Sequence, residues 1–206
     1  MSSSLNGVEV RVLGCLVEKE MATPEYYPLS LNALVTACNQ KSNREPVVEY
    51  DEATVSEGLE RLRARKLAVV ITGREVRVPK HAHRCFETLD VGNRELALLA
   101  VLMLRGPQTA AELKERSQRL YAFDDVESVE TCLGRLAERE MAARLERQPG
   151  TREARWAQLL GGAVEPAAAA VGVEAKADRV TRLEAEVAEL RAVVMDLKQK
   201  VEVLFS

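Results

Sequence analysis

The chain has two histidines, and both stand in one short segment, His81-Ala-His83-Arg-Cys85. Alternating histidines can bind a metal ion, and the cysteine two residues further on adds a third candidate ligand. The segment offers no fourth ligand nearby, and histidines in a connecting segment are usually solvated. We therefore expect no metal site and no cofactor.

Enzymatic motifs are missing from the sequence. It contains no glycine-rich phosphate loop, no nucleophile elbow and no paired carboxylates on a convincing scaffold. Its acidic residues are spread along predicted helices, as on solvated faces. We expect a protein that is not an enzyme and has no catalytic residues.

Cationic and amide side chains offer a different chemistry, which is contact with DNA. The segment 39–44 concentrates hydrogen-bond donors just before a predicted helix, although a polar loop that bonds to itself explains it equally well. The candidate DNA-contacting residues are Asn39, Gln40, Lys41, Ser42, Asn43 and Arg44 in this turn, Thr54, Arg61 and Arg65 on the following helix, Arg74 and Arg77 in a first hairpin, and Arg144, Arg147, Arg152 and Arg155 in a second.

The helices and strands that position these residues are predicted from helix-capping residues and from the spacing of apolar residues. Helix signals run from Asn6 to about Met21, from Ser30 to about Cys38, and from Asp51 through Leu62. The period then becomes extended, and segments 67–71 and 75–78 predict a β-hairpin around Gly73.

A second copy of this plan follows. Leu59, Arg61, Leu62 and Arg65 align with Leu133, Arg135, Leu136 and Arg139. Helices are predicted over 93–105, over 110–117 after the cap Thr109, and from Asp124 or Asp125 to about Arg139, with a hairpin of segments 141–147 and 152–156. Three helices and a hairpin, repeated, predict tandem winged helix-turn-helix domains. The alternative is a generic pair of small α+β units.

The C-terminal segment follows a strict heptad pattern. The apolar positions are Val180, Leu183, Val187, Leu190, Val194, Leu197, Val201 and Leu204. Valine at each a position and leucine at each d position favours a parallel two-stranded coiled coil, and hence a homodimer. The alternative is an amphipathic helix that folds back on the same chain.

Composition sets the remaining expectations. The chain has 206 residues, 29 Lys+Arg against 32 Asp+Glu, and a net charge of −3, which excludes a DNA-coating protein of high positive charge. It lacks a membrane-length apolar run and a signal peptide, so we expect a cytoplasmic protein with no membrane partner and four free, buried cysteines. The predicted fold is mainly α with small hairpins, in four segments: 1–84 and 85–160 (winged-helix domains), 161–176 (a Gly/Ala linker) and 177–206 (the coiled coil).

One long motif carries a resemblance to a known family. The residues from Thr23 to Val47, with the run Val12-Leu-Gly-Cys-Leu-Val-Glu-Lys19 before them, resemble the YceH-like family of bacterial cytoplasmic proteins. The resemblance covers about Leu5 to Leu160. It implies a tandem winged-helix fold and supplies no catalytic residues.

Two functions from different classes fit these patterns. The leading expectation is a homodimeric DNA-binding protein that regulates transcription. The alternative is a scaffold whose winged-helix domains dock other proteins, because a fold does not fix a function.

Overall fold

Seven helices and two small antiparallel sheets make up the part of the chain that the structure describes. A computed structural model describes residues 4–73, 76–147, 151 and 153–162, with the backbone alone at 76 and 77. The predicted coiled coil, and all of the predicted linker after Gly162, lie outside the described residues. So do Arg74, Arg152 and the side chain of Arg77.

The elements alternate in a regular order. They are α1 (Gly7–Ala22), a 3-10 turn (Pro24–Tyr26), β1 (Leu29–Ser30), α2 (Leu31–Cys38), α3 (Glu52–Ala64), β2 (Ala68–Gly73), β3 (Val76–His83), α4 (Cys85–Leu89), α5 (Asn93–Arg105), α6 (Ala110–Ser117), α7 (Val126–Glu138), β4 (Ala142–Arg144) and β5 (Trp156–Gln158). The three helices predicted in each half are confirmed, within a residue or two at their ends.

Side-chain caps fix where these helices begin. Asn6 accepts a hydrogen bond from the Glu9 backbone N–H at 2.8 Å and donates its own N–H to the Glu9 carboxylate at 2.7 Å, which is the predicted capping box. Thr109 makes the same reciprocal pair with Glu112 at the start of α6. Asp125, rather than Asp124, caps α7. These bonds satisfy backbone donors that a helix leaves unpaired at its start.

The first sheet has the strand order β1-β3-β2. Strand β3 pairs with β2 over its length, with Val70 opposite His81, and its far end also pairs with β1, where Leu29 lies opposite His81. The predicted hairpin was too short, because it ended at residue 78 and left the histidines in a connecting segment. Pairing on both sides keeps the strand extended to His83.

The second sheet also differs from its prediction. Strand β4 pairs with β5 between Ala142 and Gln158, so the second strand continues to residue 158, past residue 156 where the predicted segment ended. Trp156 is buried, and it exchanges backbone hydrogen bonds of 3.0 and 2.7 Å with Gln108. This buried bridge places the start of the strand. The short helix α4, which begins at buried Cys85, was not predicted.

The two halves share one hydrophobic core, to which α1 and α5 contribute their buried faces. At Gly14 the two helices approach closely, and a Cβ there would lie 3.0 Å from Leu104 Cδ2. At the edge of this core the backbone N–H of Leu5 donates to Leu160 O at 2.8 Å. The cysteines are all free and buried, as expected: they are Cys15, Cys38, Cys85 and Cys132.

Candidate functional site

The donor-rich turn at 39–44 is held from inside the protein. Asn39 Nδ2 donates to Tyr50 O at 2.7 Å, and the Tyr50 N–H donates to Asn39 Oδ1 at 2.8 Å. Arg11, buried on α1, donates to Cys38 O at 3.1 Å and to Pro46 O at 2.5 Å. These bonds tie the turn at both ends and engage the side chain of Asn39 within the fold.

Arg44 is the buried anchor of the same turn. Its Nη1 and Nη2 donate to the two carboxylate oxygens of Glu18 at 3.0 and 2.6 Å, and its Nε and Nη2 donate to Ala37 O. Burial opposes the charge of Arg44, but the hydrogen bonds to Glu18 outweigh burial and leave its pKa raised. None of the Arg44 side chain is exposed, so it cannot reach DNA and leaves the candidate set.

The middle of the turn faces outward. Gln40 is half-buried and its Oε1 accepts from Arg44 at 2.8 Å, whereas Lys41 and Ser42 are exposed. Asn43 adopts a positive φ of 61°, which asparagine tolerates better than most residues, and its Oδ1 accepts from Arg105 at 2.5 Å. The turn therefore presents Lys41, Ser42 and Asn43 on a rigid base.

Helix α3, the predicted recognition helix of the first half, has an outward face of balanced charge. Arg61 pairs with Glu57 at 2.6 Å, one turn earlier on the same helix. Thr54 is half-buried, and Arg65 lies with its Nε 3.2 Å from the buried carboxylate of Glu9. Because Arg61 and Arg65 both have a carboxylate partner, this face carries little excess positive charge for DNA.

The second half divides its charges differently. Arg144 and Arg147 are exposed beside the second hairpin, whereas Arg155 donates to Pro107 O at 2.8 Å and to Glu112 at 2.9 Å. On α7 the exposed residues Glu127, Glu130, Thr131, Arg135 and Glu138 make an acidic face. Of the predicted arginines near this hairpin, Arg144 and Arg147 thus remain suited to a phosphate contact.

Further positive charge lies in an open cleft of about 720 Å³ between the two halves. We call it the basic cleft. Its lining comes from the ends of α1 and α5, from the turn at 40–43, and from α6 with the residues after it: Glu18, Lys19, Ala22, Thr23, Gln40, Lys41, Ser42, Asn43, Val101, Leu104, Arg105, Arg116, Arg119 and Leu120.

Carboxylates near the basic cleft are shared among several cations. Glu18 lies 3.5 Å from Lys19 Nζ while it accepts from buried Arg44. Glu112 lies 3.3 Å from Arg116 Nη2 and 2.9 Å from Arg155 Nη1. Each cleft cation that has a carboxylate partner, Lys19 or Arg116, therefore shares that carboxylate with a second arginine, so its charge is only partly neutralised.

Three further cations add to this positive charge. Within the described part of the chain, Lys41 and Arg119 have no hydrogen-bond or ion-pair partner, and the one side-chain partner of Arg105 is the neutral amide of Asn43. Burial, and after it the like charge of Arg116, lower the pKa of Arg105. The arrangement suits binding of an anion that carries several negative charges.

Only part of this cleft was predicted from the sequence. The predicted residues that line it are Gln40, Lys41, Ser42 and Asn43, whereas Lys19, Arg105, Arg116 and Arg119 were not predicted. Lys19 and Arg105 stand in the last turns of their helices, where cations commonly complement the helix dipole. No spacing in the sequence marks the set, because its members are brought together by packing of α1 against α5.

The two histidines are structural parts of the first sheet and its surroundings. His83 is buried, its Nδ1 accepts from the Cys85 N–H at 3.2 Å, and its Nε2 contacts the Glu20 carboxylate. Burial raises the pKa of the Cys85 thiol to about 12, so this thiol is not an activated nucleophile. In the described ranges no three His, Cys, Asp or Glu side chains are grouped as metal ligands would be.

The fold and site together define a mixed helical protein with small antiparallel sheets and a basic cleft between its halves. The chain belongs to the DUF480 family, described as "Protein of unknown function, DUF480", which matches residues 5–151. This confirms the predicted membership of a bacterial family, whereas the YceH-like name stays a prediction. Among the helices that the structure describes, none has the length and apolar character to cross a membrane.

Similar bacterial proteins carry the name UPF0502. The chain is 53% identical to the UPF0502 protein of Solibacter usitatus over 207 residues, covering 98% of this chain and all of the relative. It is 50% identical to that of Opitutus terrae, covering 91% and 83%. It is 48% identical to that of Geobacter sulfurreducens, covering 92% and 91%. The similarity therefore extends through the C-terminal segment in the first case.

Proposed function

We propose that this chain is a tandem winged-helix protein that binds DNA through backbone phosphates, as a homodimer joined by its C-terminal coiled coil, and that it regulates transcription. The proposal includes no catalytic step. Of the candidate DNA contacts, it relies on the exposed Arg144 and Arg147 of the second hairpin rather than on α3 or the turn at 39–44.

The observation that carries the proposal is a repeat of one arrangement in both halves. Segment 29–30 pairs with the last strand of the first sheet, and Gln108, at the matching point, pairs with Trp156 of the last strand of the second. After α3 the chain turns at Lys66 with φ 63°, and after α7 it turns at Glu140 with φ 54°. Three helices with a returning hairpin is the order of a winged helix.

Exposed arginines supply the chemistry of contact. In winged-helix proteins the hairpin is well placed to touch the DNA backbone, and Arg144 and Arg147 stand exposed there. The outward face of α3 has balanced charge and that of α7 is acidic, so neither helix is well suited to contact base edges in the major groove. The proposed binding is therefore dominated by phosphates, with a strong dependence on salt.

A fluorescence anisotropy titration with a labelled duplex tests this proposal. In modest salt we expect a Kd in or below the roughly 10⁻⁴–10⁻⁶ M of non-specific binding. The variant Arg144→Gln/Arg147→Gln should weaken binding to all sequences and reduce the slope of log K against log salt by about 2. The matched control is Arg61→Gln/Arg63→Gln, which removes two charges that are paired on α3. Equal loss in both variants, or no binding at all, would refute the proposal.

A protein-docking scaffold is the second candidate function. The acidic outward face of α7 favours it, since that face includes the exposed apolar side chain of Val126, 40% accessible, beside Glu127 and Glu130. Affinity capture from nuclease-treated cells distinguishes the two functions. A stoichiometric partner that is lost in the variant Val126→Asp, while DNA binding stays absent, would favour the scaffold.

A further inference from the structure

We propose that the basic cleft binds a small phosphorylated ligand that carries at least two phosphate charges. This site is additional to the proposed DNA contacts. None of its lining residues lies on α3, on α7 or on a strand, whereas the DNA proposal uses the second hairpin.

The cleft carries positive charge that its own carboxylates do not neutralise. Of the described residues that line it, only Glu18 is acidic, and Glu18 is already held by the buried guanidinium of Arg44. Lys41, Arg105 and Arg119 remain without a carboxylate partner in the described ranges. The chain as a whole is acidic, with a net charge of −3, so the local excess is not a consequence of general composition.

The hydrogen-bond donors of the cleft are preorganised. The turn that presents Lys41 and Ser42 is held by Arg44, and the backbone N–H of Glu45 at its end donates to Leu104 O of α5 at 2.8 Å. Arg105 Nη2 is oriented by Asn43. Donors held in place in this way lose little conformational entropy when an anion binds. Planar guanidinium groups also match two oxygens of a phosphate at once.

The volume of the cleft and the residues of its walls fit a small organic molecule. A volume of about 720 Å³ lies in the range of 300–1,000 Å³ that small-molecule sites occupy. Ala22 and Leu120 add apolar surface beside the cations. The cleft therefore suits a compact organic phosphate, such as a diphosphate ester, better than a bare monovalent anion.

Isothermal titration calorimetry on the full chain tests the site with defined probes. Inorganic pyrophosphate and tripolyphosphate are titrated in about 50 mM salt, where screening is modest. We expect saturable 1:1 binding per chain, tighter for tripolyphosphate. The variant Lys41→Gln/Arg119→Gln removes two exposed charges from the cleft and should weaken binding at least tenfold. The control Arg144→Gln/Arg147→Gln removes two exposed charges outside it and should change binding less than twofold.

Competition with DNA separates this site from the proposed DNA surface. If pyrophosphate binds the cleft, a duplex should not displace it, and Lys41→Gln/Arg119→Gln should leave duplex affinity unchanged. The proposal is overturned if neither probe saturates at millimolar concentration, or if both variants lose binding equally. It is also overturned if the cleft variant loses duplex binding and the duplex displaces the probe, because the cleft then holds DNA phosphates.

Discussion

The guanidinium of Arg44 donates to both carboxylate oxygens of Glu18, at 3.0 and 2.6 Å, and the arginine side chain is wholly buried while the glutamate is 17% exposed. The pair joins the turn after α2 to helix α1. Because Arg44 cannot reach water, its charge depends on Glu18 and on the carbonyl of Ala37.

Removal of Glu18 should therefore destabilise the fold strongly. The variant Glu18→Ala leaves a buried cation without its carboxylate, and we expect a loss of about 3 kcal/mol in the free energy of unfolding. Urea denaturation followed by circular dichroism measures it. The control Glu25→Ala removes an exposed carboxylate and should stay within about 0.5 kcal/mol of wild type. A small effect in Glu18→Ala would mean that Arg44 is satisfied without the ion pair.

Contact between α1 and α5 gives the second prediction. In Gly14→Ala the new Cβ would lie 3.0 Å from Leu104 Cγ, and 3.1 Å from Met103 Cβ, neither of which is the end of a flexible chain. We expect overpacking to destabilise the protein by about 1–3 kcal/mol. In Gly134→Ala, on α7, nothing lies within 4 Å of the new Cβ, and better helix propensity should stabilise it by about 0.5–1 kcal/mol. Thermal unfolding measures both, and equal signs would contradict the prediction.

The third prediction concerns pH. Burial lowers the pKa of His83, although Glu20 opposes the shift, and burial lowers that of His81. As the pH falls through the ordinary histidine pKa of 6.5, the unfolded chain therefore binds protons before the folded chain does. The free energy of unfolding decreases below that pH, and the contribution of the neutral histidines is fully present above it.

Urea unfolding at about pH 7.5 and 5.5 measures this dependence. We expect wild type to be less stable at the lower pH, and His81→Gln/His83→Gln, which lacks both histidines, to show a smaller decrease. Greater stability of wild type at the lower pH would reverse the sign and would show that the contact with Glu20 dominates.

A fourth prediction concerns the cap of α6. Thr109 Oγ1 accepts from the Glu112 N–H at 3.2 Å, and Thr109→Ala should cost about 1 kcal/mol of stability. Thr109→Ser keeps the hydroxyl and should restore most of it. The urea midpoints of wild type, Thr109→Ala and Thr109→Ser measure this effect. Equal midpoints would show that the cap contributes no stability.

The C-terminal heptads give the last prediction. Analytical ultracentrifugation of the full chain at tens of micromolar should report a dimer, because valine and leucine at a and d positions pack two strands best. A chain that ends at Gly162 should be monomeric. Its far-ultraviolet circular dichroism should show that the helices of the globular part are still folded. A monomeric full chain, or a dimer that survives truncation, would refute the coiled coil.

Helix ends were predictable because their signals are local. Asn6 with Glu9, and Thr109 with Glu112, lie three residues apart, and their short polar side chains reach nearby backbone donors. The strands were harder to place, because the extension of β3 to His83 depends on pairing with Leu29–Ser30, about fifty residues earlier.

The site was less predictable than the fold. From the sequence, Arg44 is predicted to be an exposed loop residue. It is buried instead, because it pairs with Glu18, 26 residues earlier. The same packing brings Lys19, Arg105 and Arg119 to one cleft. Such groupings depend on tertiary contacts that no local spacing encodes.

The hydrogen bond from the Leu5 N–H to Leu160 O places the first and last described segments side by side. A short peptide joining residue 162 to residue 4 would therefore close the backbone into a ring with little rearrangement. New ends could then be opened in the exposed turn at 118–119, beyond α6. Such a circular permutant would keep every described helix. The C-terminal heptads, fused again after the new C-terminus at the turn, would then leave the globular part from a different place on its surface. The globular fold would thus form independently of where the C-terminal segment is attached to it.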